Sequence, residues 1–304
     1  MDANRKSKIK NRQSQMDIVL DIGNSAVKGA LFAQGGELER AFRLDLTPAS
    51  ASRADWQQAL RDAVTRDAVT PTPERAGVSS VVPAAAEHAR AALREGWGLT
   101  DAFAVRADAK DVHLPFKLGY RTPATLGADR LAAAAAAWLR YGKDNDPGKD
   151  HDSRAARSVV ALDAGTALTY EVVRADAEGG GVYEGGAIAP GPVLLRRSLA
   201  SGAAQLPSVP LGALPPSPIG SSTQNALQSG LLYGLIDSAD GMIRRLADAL
   251  PDAPVVVATG GWSHFLREHL PDRIPQHAPH LVLRGVHALM RLNKRGSAGE
   301  RECG

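Results

Sequence analysis

At 304 residues the chain has room for two domains of roughly 150 residues each, and 44% hydrophobic with 23% charged residues excludes a chain too polar to bury a core. The net charge of +3 is local: Arg5, Lys6, Lys8, Lys10 and Arg12 face only Asp2 in the first 16 residues, leaving 31 basic and 32 acidic residues elsewhere. A body shaped to grip nucleic acid is therefore not indicated. Cys303 is the single cysteine, which rules out an intrachain disulfide framework or a cysteine-rich zinc site and fits a reducing compartment. The longest apolar run, the nine residues Leu131–Leu139, is far short of the about 20 that a membrane-spanning helix requires. No apolar segment follows the charged start before the first strand, so it does not read as a secretory signal and a cytoplasmic location is expected. Residues 1–15 are expected to be a disordered basic arm.

In chain order, the first predicted element is a β-hairpin over 17–33, with Ile18-Val-Leu20 running into Asp21-Ile22-Gly23-Asn24 and Val27 to Phe32 returning. A third strand is expected over 37–45, an amphipathic helix over about 52–67 and a strand over 76–82. Pro83 then opens an Ala-rich helix. After a short strand near 102–106 and an irregular stretch, Gly127 to Tyr141 form a helix whose alanines give it high propensity. Residues 143–157 are polar and contain Pro147-Gly148, and they read as a linker. Beyond it the pattern restarts with strand 158–162, the turn Asp163-Ala-Gly165-Thr166 and return strand 168–173. Leu162, Asp163 and Gly165 stand 142 residues after Leu20, Asp21 and Gly23, a weak internal repeat. Helices at about 191–203 and 223–249, a strand at 254–258, and a final strand and helix over 280–293 complete the chain. Hairpins followed by alternating strands and helices argue for a mixed sheet flanked by helices, twice over. The expected organisation is a domain over 16–143, a linker over 144–157, a second domain over 158–293 and a frayed tail over 294–304.

No GxxxxGKS/T, GxGxxG or HExxH pattern is present. The two Asp-x-Gly turns are the first positive signal. A carboxylate ending a strand, followed by glycine, puts a hard oxygen ligand beside a backbone that an anion can approach closely. The same turn also simply makes hairpins. Two of them, each opening half of the chain, favour a nucleotide held in a cleft between two similar domains. A second signal is Tyr120-Arg-Thr-Pro-Ala-Thr-Leu-Gly127-Ala128-Asp129-Arg130. Asp129 in the first turn of a helix can be favourable dipole decoration, or a general base beside an arginine that holds a polar substrate. The glycine-rich stretches Gly185–Gly191 and Thr259-Gly260-Gly261 can let a base or ribose lie on the backbone, or serve as plain turns. His264 and His269 read as surface or packing residues.

The ordered set DIGNSAVK, GYRTPATLGADR, ALDAGTALTYEV, GGAIAPG, LPSVP, IGSST and ATGG resembles the type III pantothenate kinases, the family that includes the Bvg accessory factor proteins, over about residues 16–293. The resemblance implies an α/β fold of two ribonuclease-H-like domains in the acetate and sugar kinase/Hsc70/actin superfamily, as a homodimer. It implies phosphorylation of pantothenate by ATP as the first step of coenzyme A biosynthesis. Asp21, Ile22, Gly23, Asn24, Ser25, Ala26, Val27 and Lys28 resemble the first phosphate loop and Thr166 the second. Asp21 would hold Mg²⁺ directly or through water, and Asp163 resembles the ligand of a monovalent cation, K⁺ or NH₄⁺. Tyr120, Gly127, Ala128, Asp129 and Arg130 resemble the pantothenate pocket, with Asp129 the proton acceptor. Where the family has a substrate-contacting threonine in Thr-Ala-x-Leu-Pro, this chain has Ala203, without the hydroxyl. Another phosphate-handling enzyme of the superfamily, or a non-catalytic accessory protein of the same fold, remains the alternative; Tyr120 and the Gly127–Arg130 helix start argue for the kinase.

Overall fold

The computed structural model describes residues 15–65, 72–143, 156–202 and 206–293. Residues 1–14 of the expected arm, the tail, most of the linker, and Ala203 lie outside these residues; Gln15, expected in the arm, begins the first strand. The first Asp-x-Gly turn joins β1 (Gln15–Ile22) to β2 (Val27–Ala33) in antiparallel register, and β3 (Leu38–Leu44) pairs antiparallel with β2. After α1 (Arg53–Val64) comes β4 (Thr72–Ser80), parallel to β1; after α2 (Pro83–Trp97) comes β5 (Phe103–Ala104), parallel to β4. The resulting order is β3-β2-β1-β4-β5.

Local sequence explains these elements. Ser52 caps α1 in a reciprocal capping box with Asp55, satisfying two of the free N–H groups of the first turn. Pro83 sits at the start of α2, and Gly98 ends it in the left-handed conformation. Ile18, Leu20 and Ile22 on one face of β1 bury against Trp56, Leu60, Ala89 and Leu93 of the two helices. Each large side chain buried this way contributes about 1.5–3 kcal/mol.

The second sheet contains the short β6 (Lys117–Leu118), and then α3 (Ala128–Ala137) continues into one π-helical turn over Trp138–Gly142. The indole of Trp138 lies where Cβ atoms on Gly142 and Gly181 would stand, at 2.1 and 2.7 Å, so this bulky ring is seated against bare backbone. The second Asp-x-Gly turn joins β7 (Val159–Ala164) to β8 (Ala167–Ala175), and β9 (Gly181–Pro190) extends the antiparallel ladder. Then follow α4 (Pro192–Gly202), α5 (Thr223–Asp248), β10 (Val255–Thr259), α6 (Ser263–His269), β11 (Gln276–His277) and α7 (Leu281–Leu292). The order β11-β10-β7-β8-β9-β6 repeats the first sheet, with β6 added beyond β9. Val160 and Leu162 of β7 and Tyr170 of β8 bury against Leu235, Ala239 and Ile243 of α5.

Three local expectations need correction. Residues 181–190 form a strand rather than only a turn into the next helix, the strand expected at 76–82 runs from Thr72 to Ser80, and the strand expected with the helix in 280–293 lies earlier, as β11 at Gln276–His277. The compact units also interleave along the chain, instead of dividing once near 144–157. One takes the described residues within Met1–Leu114, Pro123–Ala132 and Val282–Gly304; the other takes those within Pro115–Thr122 and Ala133–Leu281. In the first unit α7 covers the face of the sheet opposite α1 and α2. Gly77 of β4 leaves room there for Val286 and Met290, whose nearest atoms would be 3.0 and 3.3 Å from a Cβ at position 77. Among the described residues no helix is long and apolar enough to cross a membrane.

Candidate active site

In the first unit Asp21 is the penultimate residue of β1 and is buried; its ladder partners are Lys28 on β2 and Ser79 on β4. Ser79 is fully buried and its hydroxyl donates to Asp21 Oδ1 at 3.3 Å, so the carboxylate is oriented from the neighbouring strand. Beyond it Ile22 is buried, and the Gly23 N–H donates to the Ala26 carbonyl at 3.0 Å, closing the turn. Asn24, Ser25 and Lys28 are exposed, Ala26 is half-buried and Val27 enters the core. The turn thus presents polar groups and one cation to solvent beside a fixed carboxylate.

The first unit also holds the start of α3. The Leu131 N–H donates to the Gly127 carbonyl at 3.1 Å, and Asp129 Oδ1 accepts from the Arg130 N–H at 2.9 Å. A Cβ on Gly127 would stand 2.6 Å from that same Oδ1, so the carboxylate occupies space that only glycine leaves open. Ala128 and Arg130 are buried, whereas Asp129 is half-buried and accessible. Tyr120 belongs to the second unit, where it packs on Tyr183.

In the second unit three glycine-bearing segments converge on the turn after β7. Asp163 pairs in register with Thr169 of β8 and Thr259 of β10, and Thr166 is exposed at the turn. The Gly191 N–H donates to the Thr166 carbonyl at 3.0 Å, and a Cβ at 191 would lie 2.4 Å from the Gly165 oxygen. Gly260, with φ +91, brings its backbone so close to Asp163 that a Cβ would stand 2.4 Å from Oδ1. This turn is held from below. The Ser263 hydroxyl donates to the Gly260 carbonyl at 2.7 Å, and His277 Nε2 donates to Ser263 Oγ at 3.0 Å. Burial, with Arg267 and His264 nearby, keeps the pKa of His277 below its ordinary value, favouring the neutral ring.

Beside Gly261 opens a cavity of about 590 Å³ lined by Leu211, Leu214, Trp262, His264, Phe265 and His269. The sequence reading missed this cavity and Ser79. A pair of serines inside the apolar run Ala76–Val82 was the available signal for the latter. Gly185 and Gly186, read as a place for a base or ribose or as plain turns, lie within β9, where a Cβ at 186 would stand 1.6 Å from the Tyr170 carbonyl oxygen.

Among the described residues no group of three or more His, Cys, Asp or Glu could hold a metal. Mg²⁺ brought with a nucleotide needs only one or two carboxylates from the protein, and Asp21, oriented by Ser79, could supply one. Gly191 and Gly260, having no Cβ, let their backbones pack directly against the turn that carries Asp163.

A pair of sheets with one strand order, each with an Asp-x-Gly turn after its first strand, defines an α/β protein of two ribonuclease-H-like halves. Comparison with known proteins narrows the class. The family model described as type III pantothenate kinase matches residues 18–245. The type III pantothenate kinase of Chlorobaculum parvum is 34% identical over 287 residues, 91% of this chain and 94% of that protein. Type III pantothenate kinase 1 of Symbiobacterium thermophilum is 34% identical over 302 residues, 94% of this chain and 100% of its own. Among solved structures, a ROK family glucokinase from Streptomyces griseus aligns over 91% of this chain and 99% of its own, with TM-score 0.47 and 15% identity. The chain belongs to the type III pantothenate kinase family.

Proposed function

We propose that the protein transfers the γ-phosphoryl group of ATP to the terminal hydroxyl of pantothenate, giving ADP and 4′-phosphopantothenate, in the cytoplasm and as the first step toward coenzyme A. The observation that carries this reading is the match to curated type III pantothenate kinases over nine-tenths of the chain, 91% for the Chlorobaculum protein. In the transfer the pantothenate oxygen bonds to the γ-phosphorus as the bond to the β–γ bridging oxygen breaks, and the hydroxyl proton passes to Asp129. A positioned base of this kind is typically worth about 10²–10⁴-fold. Gly127 leaves space for that carboxylate, and Arg130 supplies a cation for the substrate's own carboxylate. Lys28 and the backbone of 21–27 take the phosphates of ATP together with Thr166. Asp21, oriented by Ser79, holds Mg²⁺ directly or through water, and the ion supplies charge neutralisation during transfer. Asp163 is the ligand of a K⁺ or NH₄⁺ ion, and the base and ribose lie against Gly260–Gly261 and the cavity beside them.

A second copy of the chain completes the assembly. Ile188 and Ile219 are 64% and 84% exposed in the second unit, with Leu194 and Leu199 of α4 also open, and a homodimer would cover such side chains. Coupled ADP release with pantothenate, in K⁺, NH₄⁺ and Na⁺-only buffers, tests the reading. Turnover that requires pantothenate and K⁺ or NH₄⁺, with both the dependence and most activity lost in Asp163→Ala, is expected. Equal rates in all three buffers would remove the cation role, and no pantothenate-dependent ADP release would remove the function.

A further inference from the structure

Glu171 lies at the centre of β8 with 1% of its surface exposed, between the buried Tyr170 and Val172. Burying a carboxylate is unfavourable unless hydrogen bonds replace its water. One such bond comes from the fully buried Tyr183, whose hydroxyl donates to Glu171 Oε2 at 2.6 Å. The bond fixes the ring of Tyr183 in a place where much of segment 115–122 docks. Phe116 stacks on it with centroids 5.7 Å apart and planes 22° apart, and Tyr120 meets it at 5.9 Å and 51°. The main chain adds a second attachment: Leu118 pairs in register with Tyr183, and the Gly119 N–H donates to the Tyr183 carbonyl at 2.9 Å.

The other side of Tyr120 is set by an irregularity of β9. The ladder with β8 shifts register between Val172 and Val173, so that Glu184 is the extra residue opposite them. The next residue, Gly185, has φ +104, and its missing Cβ would stand 3.1 Å from Cδ2 and Cε2 of Tyr120. A bulge of this kind re-aims the side chains around it. Tyr120 is therefore held between the Tyr183 ring and bare backbone, while remaining only half-buried.

Resting on the reading that Tyr120 belongs to the pantothenate pocket, we propose that Glu171 and Tyr183 are positioning residues for pantothenate binding. They touch neither ATP nor the reacting atoms; they fix the ring against which pantothenate is held. Removing their bond loosens Tyr120 and weakens binding of pantothenate, while the phosphate loops are unaffected.

Steady-state kinetics on the full chain, varying pantothenate and ATP separately, tests this in Tyr183→Phe, Glu171→Leu, Glu171→Gln and Tyr120→Ala. Tyr183→Phe keeps the ring and its packing but removes the O–H. It should raise KM for pantothenate about three- to tenfold, the range a single hydrogen bond spans, with KM for ATP and kcat within about twofold of the parent. Glu171→Leu should do the same, and Glu171→Gln, which retains an acceptor oxygen, should restore the parental KM. Thermal melting run in parallel separates positioning from stability. Folded Tyr183→Phe with an unchanged KM for pantothenate, or one in which both KM values rise equally, would overturn the proposal. Tyr120→Ala is the control for the underlying reading: if it leaves KM for pantothenate unchanged, the pocket assignment itself is wrong. If it raises KM while Tyr183→Phe and Glu171→Leu do not, only the positioning role fails.

Discussion

A methyl group at position 127 would stand 2.6 Å from Asp129 Oδ1, closer than such contacts occur, and thus either the helix start or the carboxylate would have to move. Gly127→Ala therefore tests the proposed base without touching its chemistry, and Asp129→Asn tests it directly. The expected outcome is a kcat lowered about 10²-fold or more in Asp129→Asn, with KM for ATP unchanged, and a smaller loss of kcat in Gly127→Ala. Stopped-time ADP release measures both; parental turnover in Asp129→Asn would show that the proton goes elsewhere. This pair was legible as a motif, because Gly-Ala-Asp-Arg opens a strong helical pattern. The reason for the glycine was not, since it depends on a side-chain rotamer two residues on. Ser79 was harder still: its partner Asp21 is 58 residues away and is brought alongside only by the parallel pairing of β1 and β4.

Elements with a clear period were readable, and those without one were not. The β1–β2 hairpin, α1, α2 and α5 follow alternation, caps and helical spacing. In contrast β5, β6 and β11 are two-residue strands, too short to carry a period. The strand β9 was hidden by Gly185, Gly186 and Pro190, which read as turn residues. In the structure the first sits at a register shift, the second admits the Tyr170 carbonyl and the third ends the strand. Helix α7 contains a glycine for a reason equally invisible locally: a Cβ at Gly285 would lie 1.8 Å from the Ala132 carbonyl oxygen of α3. The helices cross backbone to backbone, so Gly285→Ala should destabilise by about 1–3 kcal/mol despite alanine's better helix propensity. Urea unfolding measures this, and a stability gain would show that the crossing is looser.

The same helix carries His287, whose Nε2 lies 2.9 Å from Asp17 Oδ2, while Arg75 Nε donates to Oδ1 at 2.8 Å. Burial alone would raise the Asp17 pKa, but the hydrogen bonds from His287 and Arg75 and their charges outweigh it, and the carboxyl is held below its ordinary 3.8. A lowered carboxylate pKa stabilises the fold at every pH above the unfolded value and loses that contribution as pH falls through the folded one. Unfolding of the parent should therefore become easier below about pH 4, and Asp17→Asn should cost about 3 kcal/mol at neutral pH while flattening that acid dependence. Parallel curves for the two proteins between neutral and acidic pH would contradict the assignment.

At the scale of the whole molecule the repeat was visible in the spacing of Leu20, Asp21 and Gly23 against Leu162, Asp163 and Gly165, and it corresponds to two sheets of one strand order. The interleaving of the compact units was not visible. Residues 115–122 and 282–293 are assigned by contacts made far away in sequence, which leave no mark on local composition. The second sheet's extra strand, β6, is a further departure from the repeat, and it delivers Tyr120 to the edge of β9. The proposed function unites these features: transfer of phosphate from ATP to pantothenate, with Asp129 proposed as the proton acceptor. The most direct test incubates the full chain with ATP, Mg²⁺, K⁺ and pantothenate and identifies the organic product by mass spectrometry, alongside Asp129→Asn. Stoichiometric ADP and pantothenate carrying one phosphoryl group are expected, formed at least about 10²-fold more slowly by the variant. ADP with inorganic phosphate and unmodified pantothenate would contradict the proposed function.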